Sequence, residues 1–193
     1  MFFVSLFPLR LRRCALPIIG VGLSAISCFA QQTVFFIVDS TPYDNQMARV
    51  GPILASAGSY FAPAPVSLVN VNQWMIKLHA LRYKYSKEWK TPDEVRLSAT
   101  ADCKGKAIAL YEEMAANGAE NVRFIIGKHR AGDAQTHAWL EWDTENGNYV
   151  LDPTFNWLAA RVEQPDSKKY VPFYAYEGAQ KYRAVSAPFV VQN

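Results

Sequence analysis

Cysteine and net charge are both scarce in this chain of 193 residues. Of its three cysteines only Cys103 lies beyond residue 30, so residues 31–193 hold no partner for an internal disulfide. The formal charge of +3 equals the contribution of three arginines within residues 1–30, where acids and lysines are absent. The remainder is therefore neutral, which argues against a nucleic-acid-binding protein, because phosphate binding needs a basic surface.

Residues 1–30 have the order of features that is typical of an export signal. Their arginines are followed by an uncharged stretch from Cys14 to Ile26, which proline and glycine interrupt. This stretch is shorter than the roughly twenty apolar residues that a membrane-spanning helix needs. We therefore predict a signal peptide cleaved after Ala30, no membrane span, and an exported protein of the periplasm or cell surface. A lipid anchor at Cys28 is the less favoured alternative.

The next part of the chain is rich in residues that break regular structure. Residues 33–38 are β-branched and aromatic and predict a strand. Residues 39–66 hold six prolines and glycines, which predict an irregular segment with at most one helical turn near residues 46–50. The length suits one folded domain. We divide the chain into a signal peptide (1–30), an irregular N-terminal segment (31–67) and a domain (68–193).

Helical patterns follow in the middle of the chain. Residues 70–85 carry apolar side chains at three- and four-residue spacing, as one face of an amphipathic helix does. Residues 91–94 read Thr-Pro-Asp-Glu, which is typical of a capped helix start. A longer helix is predicted over residues 103–117, with Asp102 or Thr100 as its N-terminal cap.

Strand patterns fill the rest of the chain. Alternation of apolar and polar residues predicts strands over residues 121–127, 136–142 and 149–152, with Asn146-Gly147 as the hairpin turn between the last two. The aromatic tail over residues 170–182 predicts one or two further strands. Helices followed by an antiparallel sheet indicate the α+β class.

The lone cysteine lies where a thiol ionises easily. At the start of a helix, the dipole and the unpaired N–H groups favour the thiolate of Cys103. A thiolate nucleophile needs a histidine beside it, and the histidine needs a group that orients its ring. His137 opens one strand of the predicted hairpin and Asp152 closes the other. A loop of two or four residues places both on one face, with Cα atoms about 7–8 Å apart, whereas a three-residue loop would separate them.

Cys103, His137 and Asp152, in this order, resemble the catalytic residues of the transglutaminase-like superfamily, relatives of the papain-like peptidases. The flanking segments are similar to the bacterial transglutaminase-like cysteine peptidases, in which a Trp-x-Thr-Pro-x-Glu stretch precedes a Gly-Asp-Cys-Glu-Asp-Tyr motif. The resemblance covers about residues 68–155 and implies a papain-like core, with the nucleophile helix packed against an antiparallel sheet. The segments that carry it are Trp89–Glu94, Ala101–Cys103 and Ala107–Ala109.

The chain departs from this family next to the cysteine. Ala101 replaces the glycine, and Lys104-Gly105 replaces an acidic pair that the resemblance links to calcium. Zinc is disfavoured too, since short ligand pairs such as Cys-x-x-Cys are absent. We therefore predict neither a metal nor another cofactor.

The resemblance and the chemistry imply the same three roles. Cys103 attacks an amide carbonyl, His137 protonates the leaving amine, and Asp152 orients the imidazole. The backbone N–H of Cys103 is one expected donor to the oxyanion. The sequence leaves the second donor open among Trp89, Asn72 and Gln73.

The resemblance implies an exported cysteine peptidase or amidase that acts on a peptide or isopeptide bond through an acyl-enzyme. Its partner would be a protein or peptide. Three alternatives remain open: a protein-crosslinking transglutaminase, a catalytically inactive interaction module, and a surface binder that uses Trp74, Trp89 and neighbouring lysines. The substrate and the oligomeric state do not follow from the sequence.

Overall fold

The computed structural model describes residues 32–56, 66–164 and 169–187. The predicted signal peptide and Cys28 lie outside the described residues. No helix of the described part is long and apolar enough to cross a bilayer. The elements in chain order are β1 (Gln32–Ile37), α1 (Asp44–Ala55), α2 (Leu68–His79), β2 (Arg82–Tyr83), α3 (Pro92–Arg96), β3 (Thr100–Ala101), α4 (Cys103–Ala116), β4 (Val122–Lys128), β5 (His137–Thr144), β6 (Gly147–Leu151), β7 (Ala160–Arg161), β8 (Val171–Glu177) and β9 (Gln180–Ala187).

The main sheet has seven strands in the order β1-β9-β8-β4-β5-β6-β7, and every neighbouring pair is antiparallel. A separate small sheet pairs β2 with β3 in parallel. Helix α4 packs against β5 and β4 of the main sheet, and α1 packs against β8. The predicted α+β class is confirmed, with the helix that begins at Cys103 lying on an antiparallel sheet.

Helix α4 is the buried element that fixes the position of the cysteine. Asp102 is its N-cap, and its Oδ1 accepts a hydrogen bond from the backbone N–H of Gly105 at 3.0 Å. Leu110 and Met114 are fully buried in the main core, together with Phe124 of β4 and Leu140 of β5. Burial of this apolar face holds the N-terminus of α4 against the sheet. The predicted helix and its start are confirmed.

The prediction that residues 39–66 are irregular is wrong for α1. This helix runs over twelve residues although Pro52 lies inside it. Met47, Val50 and Leu54 are buried in the main core at three- and four-residue spacing. Burial of that face offsets the hydrogen bond that the proline removes. The division between residues 67 and 68 stays a prediction.

The helix predicted over residues 70–85 ends earlier, at His79. The chain then turns into β2, where Arg82 lies opposite Thr100 and Tyr83 lies opposite Ala101. The amphipathic pattern continued through this segment, but pairing with β3 takes these residues out of the helix. The pairing of β2 with β3 matters for the site, because it brings Tyr83 close to Cys103.

The hairpin of β5 and β6 has the register that the sequence argument required. Thr144 lies opposite Gly147 and Leu140 opposite Leu151, so the loop has two residues. These are Glu145 and Asn146, one position earlier than the predicted turn. The predicted parity is confirmed, and the side chains of the two candidate residues meet. The tail forms two strands, β8 and β9, as expected.

Candidate active site

Cys103 is the first residue of α4 and is 6% exposed. The residue before it, Asp102, is almost fully buried and accepts hydrogen bonds from backbone N–H groups. Its Oδ2 accepts from the N–H of Ser86 at 3.1 Å and pairs with the ammonium of Lys104. Asp102 therefore fixes the segment around the cysteine, and its charge is compensated by a neighbouring lysine.

His137 and Asp152 form a buried hydrogen bond at the open end of the hairpin. The imidazole Nε2 lies 2.8 Å from Asp152 Oδ2, and Asp152 is 0% exposed. The carboxylate also accepts from the Tyr170 hydroxyl at 2.7 Å and the Thr154 N–H at 2.9 Å. Burial alone would raise the pKa of Asp152, but hydrogen bonds from His137, Tyr170 and Thr154 and the charge of His137 lower it below its ordinary value. Asp152 is thus an anion at neutral pH.

The imidazole of His137 lies between this carboxylate and the thiol. Burial alone would lower the pKa of His137, but hydrogen bonds to Asp152 and Cys103 and their negative charges raise it to about 9. Since Nε2 bonds to Asp152, Nδ1 is the ring nitrogen left for Cys103. The structure thus brings all three predicted residues together, with a histidine that is protonated at neutral pH.

Tyr170→Phe is expected to raise the pKa of His137 further above its value of about 9. The change removes a donor that competes with His137 for the same Asp152 oxygen, so the carboxylate, which stays ionised, holds the imidazolium more strongly. NMR titration of the His137 ring measures this value. Tyr149→Phe, whose ring packs against Trp142 in the main core, is the control and leaves the titration unchanged. An unshifted titration in Tyr170→Phe would contradict the role of this hydroxyl.

Aromatic rings lie around the imidazole of His137. Its ring centroid lies 6.1 Å from that of Trp139, 4.9 Å from Phe155 and 6.1 Å from His129. Burial lowers the pKa of His129, helped by the charge of Lys169, so His129 stays neutral beside the charged His137. The sequence did not single out His129. Its only signal is that it follows β4, the neighbour of β5 in the sheet.

Lys106 is a second residue that the sequence argument missed. It is 2% exposed, and its ammonium donates to the backbone oxygen of His79 at 3.2 Å. That oxygen lies at the C-terminus of α2, where the helix dipole favours a cation. Burial lowers the pKa of Lys106, whereas the charge of Asp152 acts in the opposite direction. The lysine therefore places a buried positive charge behind the Asp152 carboxylate.

A cavity of about 400 Å³ opens onto Cys103 and His137, and we call it the cleft. Asp152 does not line it and lies behind His137, as an orienting group would. Aromatic side chains and two lysines form much of its wall. The residues that line the cleft around the two reactive groups include Tyr43, Tyr83, Tyr85, Lys87, Trp89 and Lys104.

The structure separates the three candidates for the second oxyanion donor. Trp89 lines the cleft. Asn72 does not, and its side-chain oxygen instead accepts from the N–H of Ala159 at 2.8 Å. Gln73 is exposed on α2 and is likewise absent from the cleft wall. Tyr83, which the sequence did not single out, lines the cleft together with Cys103.

Lys104 occupies the position where the family resemblance would place an acid. Its ammonium pairs with Asp102 and lies 4.9 Å from the ring centroid of Tyr85. Within residues 32–56, 66–164 and 169–187, no three His, Cys, Asp or Glu side chains are grouped as a metal ion would require. The local electrostatics of the cysteine segment are thus set by a lysine.

Solved structures of LapG from Legionella pneumophila share this architecture. One matches with a TM-score of 0.54 at 16% identity, covering 75% of this chain and 81% of that chain. The calcium-bound form matches with 0.53 at 17% identity over the same shares, and the EGTA-treated form with 0.55 at 16% over 77% and 83%. No protein-family model and no curated protein matches the chain. At this identity the likeness concerns the fold, which is of the α+β transglutaminase-like type.

Proposed function

We propose that this protein is an exported cysteine peptidase or amidase of the transglutaminase-like type. The observation that carries the proposal is the 2.8 Å hydrogen bond between His137 and Asp152, with the imidazole lining the same cleft as Cys103 at the start of a helix. The motifs around the cysteine and the likeness to the LapG fold support the same chemistry. Export rests on the pattern of residues 1–30.

The reaction proposed for these residues begins at the sulfur. The Cys103 thiolate attacks the carbonyl carbon of an amide, a C–S bond forms, and the carbonyl oxygen takes the negative charge. The His137 imidazolium donates its proton to the amide nitrogen, the C–N bond breaks, and the amine leaves. A thioester of Cys103 remains as the acyl-enzyme.

Water completes the proposed cycle. Neutral His137 takes a proton from water, the resulting hydroxide attacks the thioester carbonyl, and the C–S bond breaks. The acid is released, and the thiolate and imidazolium are restored. Asp152 transfers no proton: it holds the ring in one orientation and stabilises its positive charge. An amine in place of water would yield a crosslink from the same acyl-enzyme.

The first test uses p-nitrophenyl acetate, an activated ester that reports acylation of a thiolate without a known substrate. We expect wild-type protein to release p-nitrophenolate and to carry one acetyl group on Cys103, as located by peptide mass spectrometry. The Cys103→Ala variant should be slower by about 10³-fold. Equal rates in the two proteins would overturn the proposed function.

Amide cleavage is then measured with a library of peptides from a bacterial proteome. New N-termini that form with wild-type protein and not with Cys103→Ala identify the bonds that are cut. Peptide pairs joined through a new amide would instead identify the crosslinking reaction. An acylated Cys103 with neither product would show a reactive thiol that does not act on peptides.

A further inference from the structure

Hydrogen bonds join the segment after α2 to the residues just before Cys103. In β2, Tyr83 lies opposite Ala101, which is two residues before Cys103. The next residue, Lys84, donates its backbone N–H to the oxygen of Ala101 at 3.2 Å. Ser86 then donates its N–H to Asp102 Oδ2 at 3.1 Å. These bonds hold Tyr83 at a fixed place beside the cysteine.

Tyr83 and Cys103 line the same cavity as His137. Burial raises the pKa of Tyr83 to about 12, with the negative charges of Cys103 and Asp102 adding to the effect. The phenol therefore keeps its proton at any pH at which the protein is expected to work. It is a neutral donor in the cavity that holds the attacking atom.

Attack on an amide moves negative charge from the sulfur to an oxygen beside it. The carbonyl carbon is bonded to the sulfur in the tetrahedral intermediate, so its oxygen lies within one further bond of the same place. A donor in the same cavity as the sulfur is therefore near the place where that oxygen forms. The N–H of Cys103, as the first residue of a helix, has no intrahelical acceptor and faces the same region.

We propose that the Tyr83 hydroxyl is the second donor to the oxyanion, together with the backbone N–H of Cys103. This role rests on the proposed function, since it concerns the same acylation step. It assigns a catalytic residue from a segment that lies outside the nucleophile helix and the hairpin. Tyr83 is 50% exposed, so we expect a smaller effect than the 10²–10³-fold typical of a fully enclosed donor.

The test compares two reagents that differ in whether an oxyanion forms. p-Nitrophenyl acetate acylates the thiolate through a tetrahedral oxyanion, whereas iodoacetamide alkylates it by direct displacement of iodide. We expect Tyr83→Phe to slow acylation about 10- to 100-fold and to change the alkylation rate by less than about threefold. Retained alkylation also shows that the variant is folded at the site.

Tyr149→Phe is the matched control. Its ring contacts Trp142 and the guanidinium of Arg161, and phenylalanine keeps both contacts. We expect both of its rates to equal those of the wild type. Adding Tyr83→Phe to this background should reproduce the loss of the single variant.

The outcomes separate this role from the proposed function. Normal acylation of the wild type that Tyr83→Phe leaves unchanged would overturn the role of Tyr83 alone. An equal loss with both reagents would also overturn it, because Tyr83 would then act on the nucleophile rather than on the oxyanion. A wild-type protein that reacts with the ester no faster than Cys103→Ala would overturn the proposed function and this role with it.

Discussion

His137→Ala is expected to slow the alkylation of Cys103 by iodoacetamide about 100-fold near pH 6.5. In the wild type a protonated imidazole lies beside the sulfur, because Asp152 and Cys103 raise the pKa of His137 to about 9. Without that partner no cation lies beside the sulfur to stabilise the thiolate that iodoacetamide alkylates. Rates measured from pH 5 to pH 10 give the full profile.

The pH dependence of this difference has a definite sign. The imidazolium is present below about pH 9, so the wild type keeps its advantage at neutral pH. Above about pH 9 His137 loses its proton and with it the charge that distinguishes the wild type from the variant, so the two rates converge. His79→Ala is the control, because His79 lies at the end of α2 and its ring contacts Trp157. Equal wild-type and His137→Ala rates at pH 6.5 would contradict the ion pair.

The same shift links stability to pH. The pKa of His137 is higher in the folded chain, about 9, than the ordinary value of 6.5. Its protonation therefore stabilises the fold fully below about pH 6.5, and this contribution is lost as the pH rises through 9. The shift corresponds to about 3 kcal/mol as an upper bound. His137→Ala should therefore remove this part of the pH dependence of the free energy of unfolding, which unfolding with urea measures.

Gly127→Ala is expected to destabilise the fold by about 3 kcal/mol or more. A Cβ atom at this position would lie 2.1 Å from the backbone oxygen of Val171 and 2.8 Å from both Pro172 Cα and a ring atom of Trp139. The register of β4 and β8 shifts between Ile126 and Gly127, which is where the two backbones approach. The methyl group would force β4 and β8 apart.

Chemical unfolding with urea measures this effect, and the chain offers a matched control. A Cβ at Gly132 meets nothing within 4 Å, so Gly132→Ala should change the free energy of unfolding by less than about 0.5 kcal/mol. Gly127 also lies opposite His137 in the β4–β5 pair, so any folded fraction of Gly127→Ala should show altered alkylation of Cys103. Equal unfolding midpoints in the two variants would contradict the close approach.

Much of the hairpin and of the nucleophile helix could be predicted, because both depend on local order. A cap at Asp102 followed by an apolar stripe defines where α4 begins, wherever the helix later packs. In a hairpin, loop length alone decides which side chains share a face. That rule placed His137 and Asp152 together without knowledge of the other strands, and the register agrees.

Helix α1 and the end of α2 show where local rules failed. Prolines and glycines predicted an irregular segment, but the burial of Val50 and Leu54 in the core makes a helix there. The amphipathic pattern through Tyr83 predicted more helix, but pairing with β3 ends α2 at His79. In both cases tertiary contacts outweighed intrinsic preference, which in a helix interior disfavours glycine by about 1 kcal/mol and proline by about 3 kcal/mol relative to alanine.

The sequence by itself determined the class of fold, the place of Cys103 at a helix start, and the shared face of His137 and Asp152. Each follows from spacing within one element or one hairpin. The tertiary structure alone decided that Tyr83 shares the cleft with Cys103, that Tyr170 donates to Asp152, and that Lys106 reaches the end of α2. Each of these contacts joins residues from different segments of the chain, and no local periodicity encodes the distance between such segments.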